Sequence, residues 1–237
     1  MSLRGAVSAL LLAALLPACL PAQPQVGVGI SAGTLGIGPQ GAVSITKLSN
    51  IRVGANFFSY DDTFTKDGLR YGGTLKLRSA QLTWDQYFPH LGGFHISPGA
   101  LIYDGNSGHA TAQVPAGNSF TLGNVTYYSS NASPVNGTGD ITFNKAAPMI
   151  LIGFGNLVPR SRHFGVNVDF GVVFQGSPSA KLNLAGTACV NSAQTACLAT
   201  SDPTVQSNLV AEQNKINNDI NAFRYYPVVS LGFSYKF

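Results

Sequence analysis

Towards its end the chain alternates residue by residue. Val229, Leu231, Phe233, Tyr235 and Phe237 are interleaved with Ser230, Gly232, Ser234 and Lys236. A period of two puts the apolar residues on one face of a strand and the small or polar ones on the other. The same rhythm recurs upstream. Ile51, Val53, Ala55 and Phe57 lie opposite Arg52, Gly54, Asn56 and Phe58, and Phe94, Ile96, Ala100 and Ile102 lie opposite His95, Ser97, Gly99 and Leu101. The longest internal run sets Phe164, Val166, Val168, Phe170, Val172 and Phe174 against Gly165, Asn167, Asp169, Gly171, Val173 and Gln175. Leu35, Ile37, Val43 and Ile45 share one parity. Two stretches break the rule. In 71–87, Leu75 and Leu77 share one parity and Leu82 and Trp84 the other, which predicts a β-bulge near Ser79. In 140–155, Met149, Ile150, Leu151 and Ile152 are apolar on both parities and assign no face.

Breaks between these runs alternate in length. Residues 47–50, 89–92 and 159–162 are short polar or Pro-containing turns, whereas 61–70, 114–138 and 186–222 are long excursions. Counting back from the C-terminus predicts strands near 223–237, 163–185, 140–156, 93–113, 70–87, 51–60 and 34–46, and a weaker one at 24–31 completes an even number. Apolar outside, polar or small inside, and short turns on one side only are what an antiparallel barrel in lipid requires. The expected fold is therefore all-β: a transmembrane up-and-down barrel of eight strands, with a secreted β-sandwich as the alternative. The last long loop predicts a helix. Asp202 caps it, Pro203 occupies its first turn, and Val205, Leu209, Ile216, Ile220 and Phe223 share a face that would pack on the barrel rim.

Composition agrees with a membrane setting. Only 10% of residues are charged, against about 25% in ordinary globular domains, and no run after residue 22 is long and apolar enough for a spanning helix. Arg4 followed by the apolar run 9–16 reads as a secretory signal peptide over 1–22, leaving 23–237 as the barrel. A lipoprotein reading of Leu16-Pro17-Ala18-Cys19, with Cys19 acylated, competes with it. If Cys19 leaves with the leader, Cys189 and Cys197 remain, and an even pair in an exported chain predicts a disulfide rather than zinc. The net charge of +4 is scattered, with no basic run to suggest nucleic acid.

The final alternating strand, with Tyr235 and terminal Phe237, resembles the C-terminal signature of bacterial outer-membrane barrels, which the barrel assembly machinery reads. Thr34-Leu35-Gly36-Ile37-Gly38, Leu75-Lys76-Leu77-Arg78-Ser79-Ala80, Phe174-Gln175-Gly176-Ser177-Pro178 and Tyr225-Tyr226-Pro227-Val228-Val229-Ser230-Leu231-Gly232 resemble small outer-membrane barrels of the OmpX and OmpW kinds, and more narrowly exported barrels of Gram-negative bacteria. The resemblance implies an outer-membrane monomer in contact with lipid and lipopolysaccharide, and it implies no activity.

Candidate chemistry is sparse, and no cofactor or metal motif stands out. Gly36-Ile37-Gly38-Pro39-Gln40-Gly41 matches a dinucleotide fingerprint but lacks the helix that would hold a pyrophosphate, so its glycines read as packing relief. His95 and Ser97 have the spacing of a lipid-deacylase pair, which any strand supplies by chance. Arg52, Lys76, Arg78 and Asp169 are expected on or near the inward face, with Asp85 a further acceptor if the bulge turns it inward. Buried charges must pair or be hydrated, so they predict either an ion-pair network that closes the lumen or a cation-lined path. Three classes of function follow: a structural or surface-interaction barrel, a narrow channel for small or hydrophobic solutes, and, least supported, a lipid-modifying membrane enzyme.

Overall fold

The structure is a computed structural model that describes residues 24–66 and 68–237. The signal-peptide and lipoprotein readings, Cys19 included, fall on residues 1–23, outside the described part.

Eight strands close into a ring. They are β1 (Val26–Gly33), β2 (Gly36–Thr46), β3 (Ser49–Lys66), β4 (Leu69–Tyr87), β5 (His95–Asp104), β10 (Ala147–Gly155), β11 (Phe164–Phe174) and β15 (Tyr225–Lys236). Their order is β4-β3-β2-β1-β15-β11-β10-β5, every pairing is antiparallel, and β5 returns to β4 to complete the circle. Closure leaves no free edge within the barrel, which lipid demands because it cannot satisfy an unpaired backbone group. Among the described residues no helix is long and apolar enough to cross a membrane.

At one end the turns are short. At the other, the long strands continue beyond the ring. β6 (Ser107–Gln113), β9 (Asn136–Thr142) and β12 (Ser179–Ala185) pair in the order β12-β9-β6 onto the first half of β4, forming a wall above the barrel. β7 (Ser119–Leu122), β8 (Val125–Ser129), β13 (Thr187–Cys189) and β14 (Cys197–Ala199) make a second small sheet. Cys189 and Cys197 face each other across β13–β14 and are disulfide-bonded. Helix α1 (Pro203–Ile220) starts as its sequence predicts, with Asp202 accepting the Thr204 N–H. It buries Val205 and Leu209 against the cluster of Val114, Leu122, Tyr127, Val135 and Ala188. Gln213 Oε1 and Asn217 Oδ1 accept the N–H groups of Leu182 and Ala180, so α1 covers the edge of β12.

The alternation changes sign along the long strands. Within the ring, β3 points Asn50, Arg52 and Asn56 inward and Ile51, Val53 and Phe57 outward. Above it, Phe58, Tyr60 and Phe64 continue the inward face while Ser59, Asp61, Thr63 and Thr65 continue the outward one. β4 mirrors this: Ser79, Gln81, Thr83 and Asp85 face in and Leu82 and Trp84 face out below, but Leu75, Leu77 and Tyr71 take the inner face above. The stacked rings of Phe64 and Tyr71, 5.3 Å apart, mark the shared face. A strand that passes from a hydrocarbon surrounding into water would reverse its apolar face in this way.

Three expectations are corrected by this: the strand that carries the bulge, the faces of Lys76 and Arg78, and the side of Leu35. No bulge interrupts β4 against β3, whose ladder runs without a shift from Ser49↔Gln86 to Lys66↔Leu69. The irregularity lies across β4–β5 between Ala80 and Gln81, beside Ser79 as expected, but the extra residue is Ile102 of β5, so the faces of β4 are not exchanged. Lys76 and Arg78 accordingly do not face the lumen but are exposed on the outer face of the wall. Leu35, expected on the lipid side with Ile37, is buried in the apolar cluster of the interior.

Candidate functional site

The barrel interior is where the chemistry-bearing residues converge. Inward parity on four strands brings Arg52 (β3), Asp85 (β4), His95 and Ser97 (β5) and Asn167 and Asp169 (β11) to one level, and all are buried. Arg52 Nη1 donates to Asp169 Oδ2 at 2.6 Å, and its Nη2 donates to Asp85 Oδ1 at 2.9 Å. Nη2 also reaches Asp169 Oδ1 at 3.3 Å and Ser97 Oγ at 3.4 Å, and Nε donates to Thr83 Oγ1 at 3.3 Å. The guanidinium thus spends its fork on two carboxylates, the arrangement that makes arginine suited to buried pairing.

Asp169 is the hub. Besides Arg52 it accepts from Asn167 Nδ2 at 2.7 Å and Ser230 Oγ at 3.5 Å, and its Oδ1 lies 2.9 Å from His95 Nε2. The other ring nitrogen of His95 lies 3.1 Å from the carbonyl oxygen of Gly93. Both nitrogens therefore face acceptors, and only a ring with a proton on each satisfies both contacts. In that form two cations, Arg52 and His95, stand against two carboxylates, Asp85 and Asp169, and the cluster is neutral. Glycines make the room. A Cβ on Gly153 would overlap Asp169 Oδ1 and come within 2.7 Å of His95 Nε2. A Cβ on Gly232 would overlap both Gln40 Nε2 and Asn167 Oδ1, which are hydrogen-bonded to each other.

A second, apolar layer lies on the other side of the ring's interior. Leu35, Leu101, Ala147, Met149, Leu151, Val173 and Val228 form one buried cluster, with Tyr226 against it. The stretch that assigned no face is now divided: Met149 and Leu151 point in, Ile150 and Ile152 point out. Beside this layer a cavity of about 10 Å³ remains, lined by residues that include Asn56, Gln81, Leu151 and Ser230. The carboxylate of Asp104, at the outer end of β5, has one oxygen on the Asn106 N–H.

The other candidate chemistries dissolve on inspection. His95 and Ser97 are sealed inside the ring, and among the described residues they make no hydrogen bond to each other; His95 is committed to Asp169, and the Ser97 hydroxyl accepts from Arg52. No nucleophile–base contact of the kind acyl transfer needs is formed there. The glycine-rich 36–41 segment is the first half of strand β2 rather than a turn into a helix, so nothing there cradles a phosphate. Sequence reasoning did not place Thr83, Ser97 or Asn167 in the cluster, although each has the inward parity of its strand.

No family model matches the chain, and no curated protein matches it. Among solved structures it is similar to CarO of Acinetobacter baumannii, with a TM-score of 0.57 and 22% identity over 90% of this chain and 98% of that one. It is likewise similar to CarO2 of the same organism, with a TM-score of 0.57 and 22% identity over 91% of this chain and all (100%) of that one. A closed antiparallel ring wrapped in an apolar belt, similar over nearly its whole length to CarO, gives this chain the fold of an outer-membrane β-barrel.

Proposed function

We propose that this protein is a closed outer-membrane barrel that acts through its outer face rather than by conducting solutes. The short-turn end, where Val26 of β1 meets Phe237 beyond β15, faces the periplasm, and the wall, the small sheet and α1 face the exterior. The observation that carries the reading is the double layer inside the ring. An ion cluster centred on Asp169 and an apolar cluster centred on Leu101 fill the lumen of a barrel whose interior is only wide enough for side chains. The neighbouring cavity of about 10 Å³ is at the lower limit for a single water.

A surface role is supported by the outer half of β3. Beyond Phe57↔Ile37 it has no strand on one side, although it stays paired to β4 as far as Lys66. α1 covers the corresponding edge of β12, but on the β3 side the N–H of Thr63 meets only the Asp62 carboxylate, at 2.8 Å. Phe58, Tyr60 and Phe64 stand exposed along this free edge. An unpaired edge beside an aromatic face is a template for a strand of another chain. Tyr235 and Phe237, on the lipid face of the last strand, are assigned to recognition by the assembly machinery. Single-channel recording of the folded protein in planar bilayers tests the closed reading, which predicts a quiet baseline.

A further inference from the structure

The short-turn end carries charge of one sign. Its turns, 47–48, 88–94 and 156–163, contain Lys47, His90, Arg160, Arg162 and His163 and no Asp or Glu. Among the described acidic residues, Asp85 and Asp169 are paired inside the ring and the other seven belong to the outer half. Among the described residues neither Arg160 nor Arg162 has an ion-pair partner.

A cleft of about 490 Å³ opens between two of these turns, within the range of about 300–1,000 Å³ typical of small-molecule sites. Arg160 and Arg162 form one side, and His90, Gly92 and Gly93 form the other. These last three residues all have positive φ, and among the described residues their N–H groups donate to nothing. Lys236 Nζ, 3.2 Å from the Arg160 carbonyl oxygen, fixes the backbone that carries the arginines. Phe164 and Val166, on the lipid face of β11, also border the cleft. Around it runs an aromatic girdle: Phe94 lies 5.8 Å from Phe88 and 5.3 Å from Phe154, and Tyr235 lies 5.4 Å from both Phe164 and Phe237. Such girdles mark the depth of lipid headgroups.

The geometry points to a binding site for the phosphate group of an anionic phospholipid of the inner leaflet, held by Arg160, Arg162 and the 90–93 turn, with an acyl chain along Phe164 and Val166. Unpaired guanidiniums and free N–H groups recognise the phosphate oxygens. The apolar border at girdle depth recognises a lipid rather than a soluble phosphate. The site rests on the orientation proposed above, with the short turns in the periplasm.

The test uses full-length protein folded into mixed vesicles. Trp84, the single tryptophan, is replaced by Phe and the reporter is moved to the cleft as Phe164→Trp. Quenching by brominated phosphatidylglycerol is compared with quenching by brominated phosphatidylcholine. A basic side chain near an anionic membrane surface contributes about fivefold, so Arg160→Gln/Arg162→Gln should cut the phosphatidylglycerol preference at least tenfold. Lys76→Gln/Arg78→Gln, an equal charge loss on the outer wall, should leave it intact. A preference that survives the arginine substitutions, or falls equally in the outer-wall control, overturns the site. Absence of quenching by either lipid overturns instead the membrane placement of β11, a separate failure.

Discussion

Replacing Asp169 by Ala removes the acceptor on which the interior cluster turns. The side chain accepts from Arg52, His95, Asn167 and Ser230, and it is fully buried. Breaking a buried ion pair from one side costs roughly 3–5 kcal/mol, because the stranded charge is not rehydrated. Asp85 moderates the loss by keeping Arg52 Nη2, but nothing replaces the contact of His95 Nε2. A value of about 3 kcal/mol is therefore expected. Asp169→Asn should cost nearly as much despite its matching shape, since its amide would present a donor to a site crowded with donors. The assay is urea unfolding and refolding in phospholipid vesicles, followed by Trp84, which sits on the lipid face of β4. A double-mutant cycle with Arg52→Met isolates the pair and should return a coupling of about 2 kcal/mol or more, within the range found for residues in one network. A loss below about 1 kcal/mol for Asp169→Ala, the level of an exposed pair, would refute the claim that the cluster is desolvated.

Three further outcomes are expected. Deleting Phe237 should lower the yield of heat-modifiable, membrane-assembled protein in cells while leaving refolding of the purified chain intact; normal assembly would remove the terminal-signal assignment. Cys189→Ser/Cys197→Ser should loosen only the small outer sheet, by about 2–3 kcal/mol from the opened eight-residue loop; limited proteolysis should cut near 190–196 while barrel melting stays unchanged. Gln213→Ala/Asn217→Ala should uncover the β12 edge, and hydrogen exchange should speed up about tenfold at the Ala180 and Leu182 amides but not in β11.

How much of this was legible depends on how far one solvent persists along a strand. Between Phe164 and Phe174 the outside is uniform, so parity alone separates Asn167 and Asp169 from their apolar neighbours. β4 crosses out of the lipid, and there the assumption that apolar means outward misplaces Lys76 and Arg78; the irregularity beside Ser79 adds its extra residue, Ile102, to β5 and leaves the faces of β4 unexchanged. The signal was present in β3, where Phe58, Tyr60 and Phe64 alternate with Ser59, Asp61, Thr63 and Thr65 in the opposite phase to Ile51 and Val53. β7, β8, β13 and β14 could not be read because strands of three to five residues carry too few alternations to stand out. Face assignment in 140–155 needed the structure for a different reason: Met149 and Leu151 belong to the apolar interior layer, so both faces of β10 are hydrophobic. Asp85 and His95 share the inward parity of Thr83 and Ser97, yet their meeting with Arg52 depends on the ring's narrowness, which no local pattern encodes.

The central claim is that the two interior layers close the barrel, and planar-bilayer recording addresses it directly. Purified, folded protein should insert without producing discrete current steps, across salts of small and large ions and at either polarity. Leu101→Ala/Leu151→Ala, which thins the apolar layer, should be the first variant to flicker. Reproducible, long-lived conductance steps from the wild-type protein would contradict the closed lumen and make the Arg52–Asp169 cluster the lining of a path.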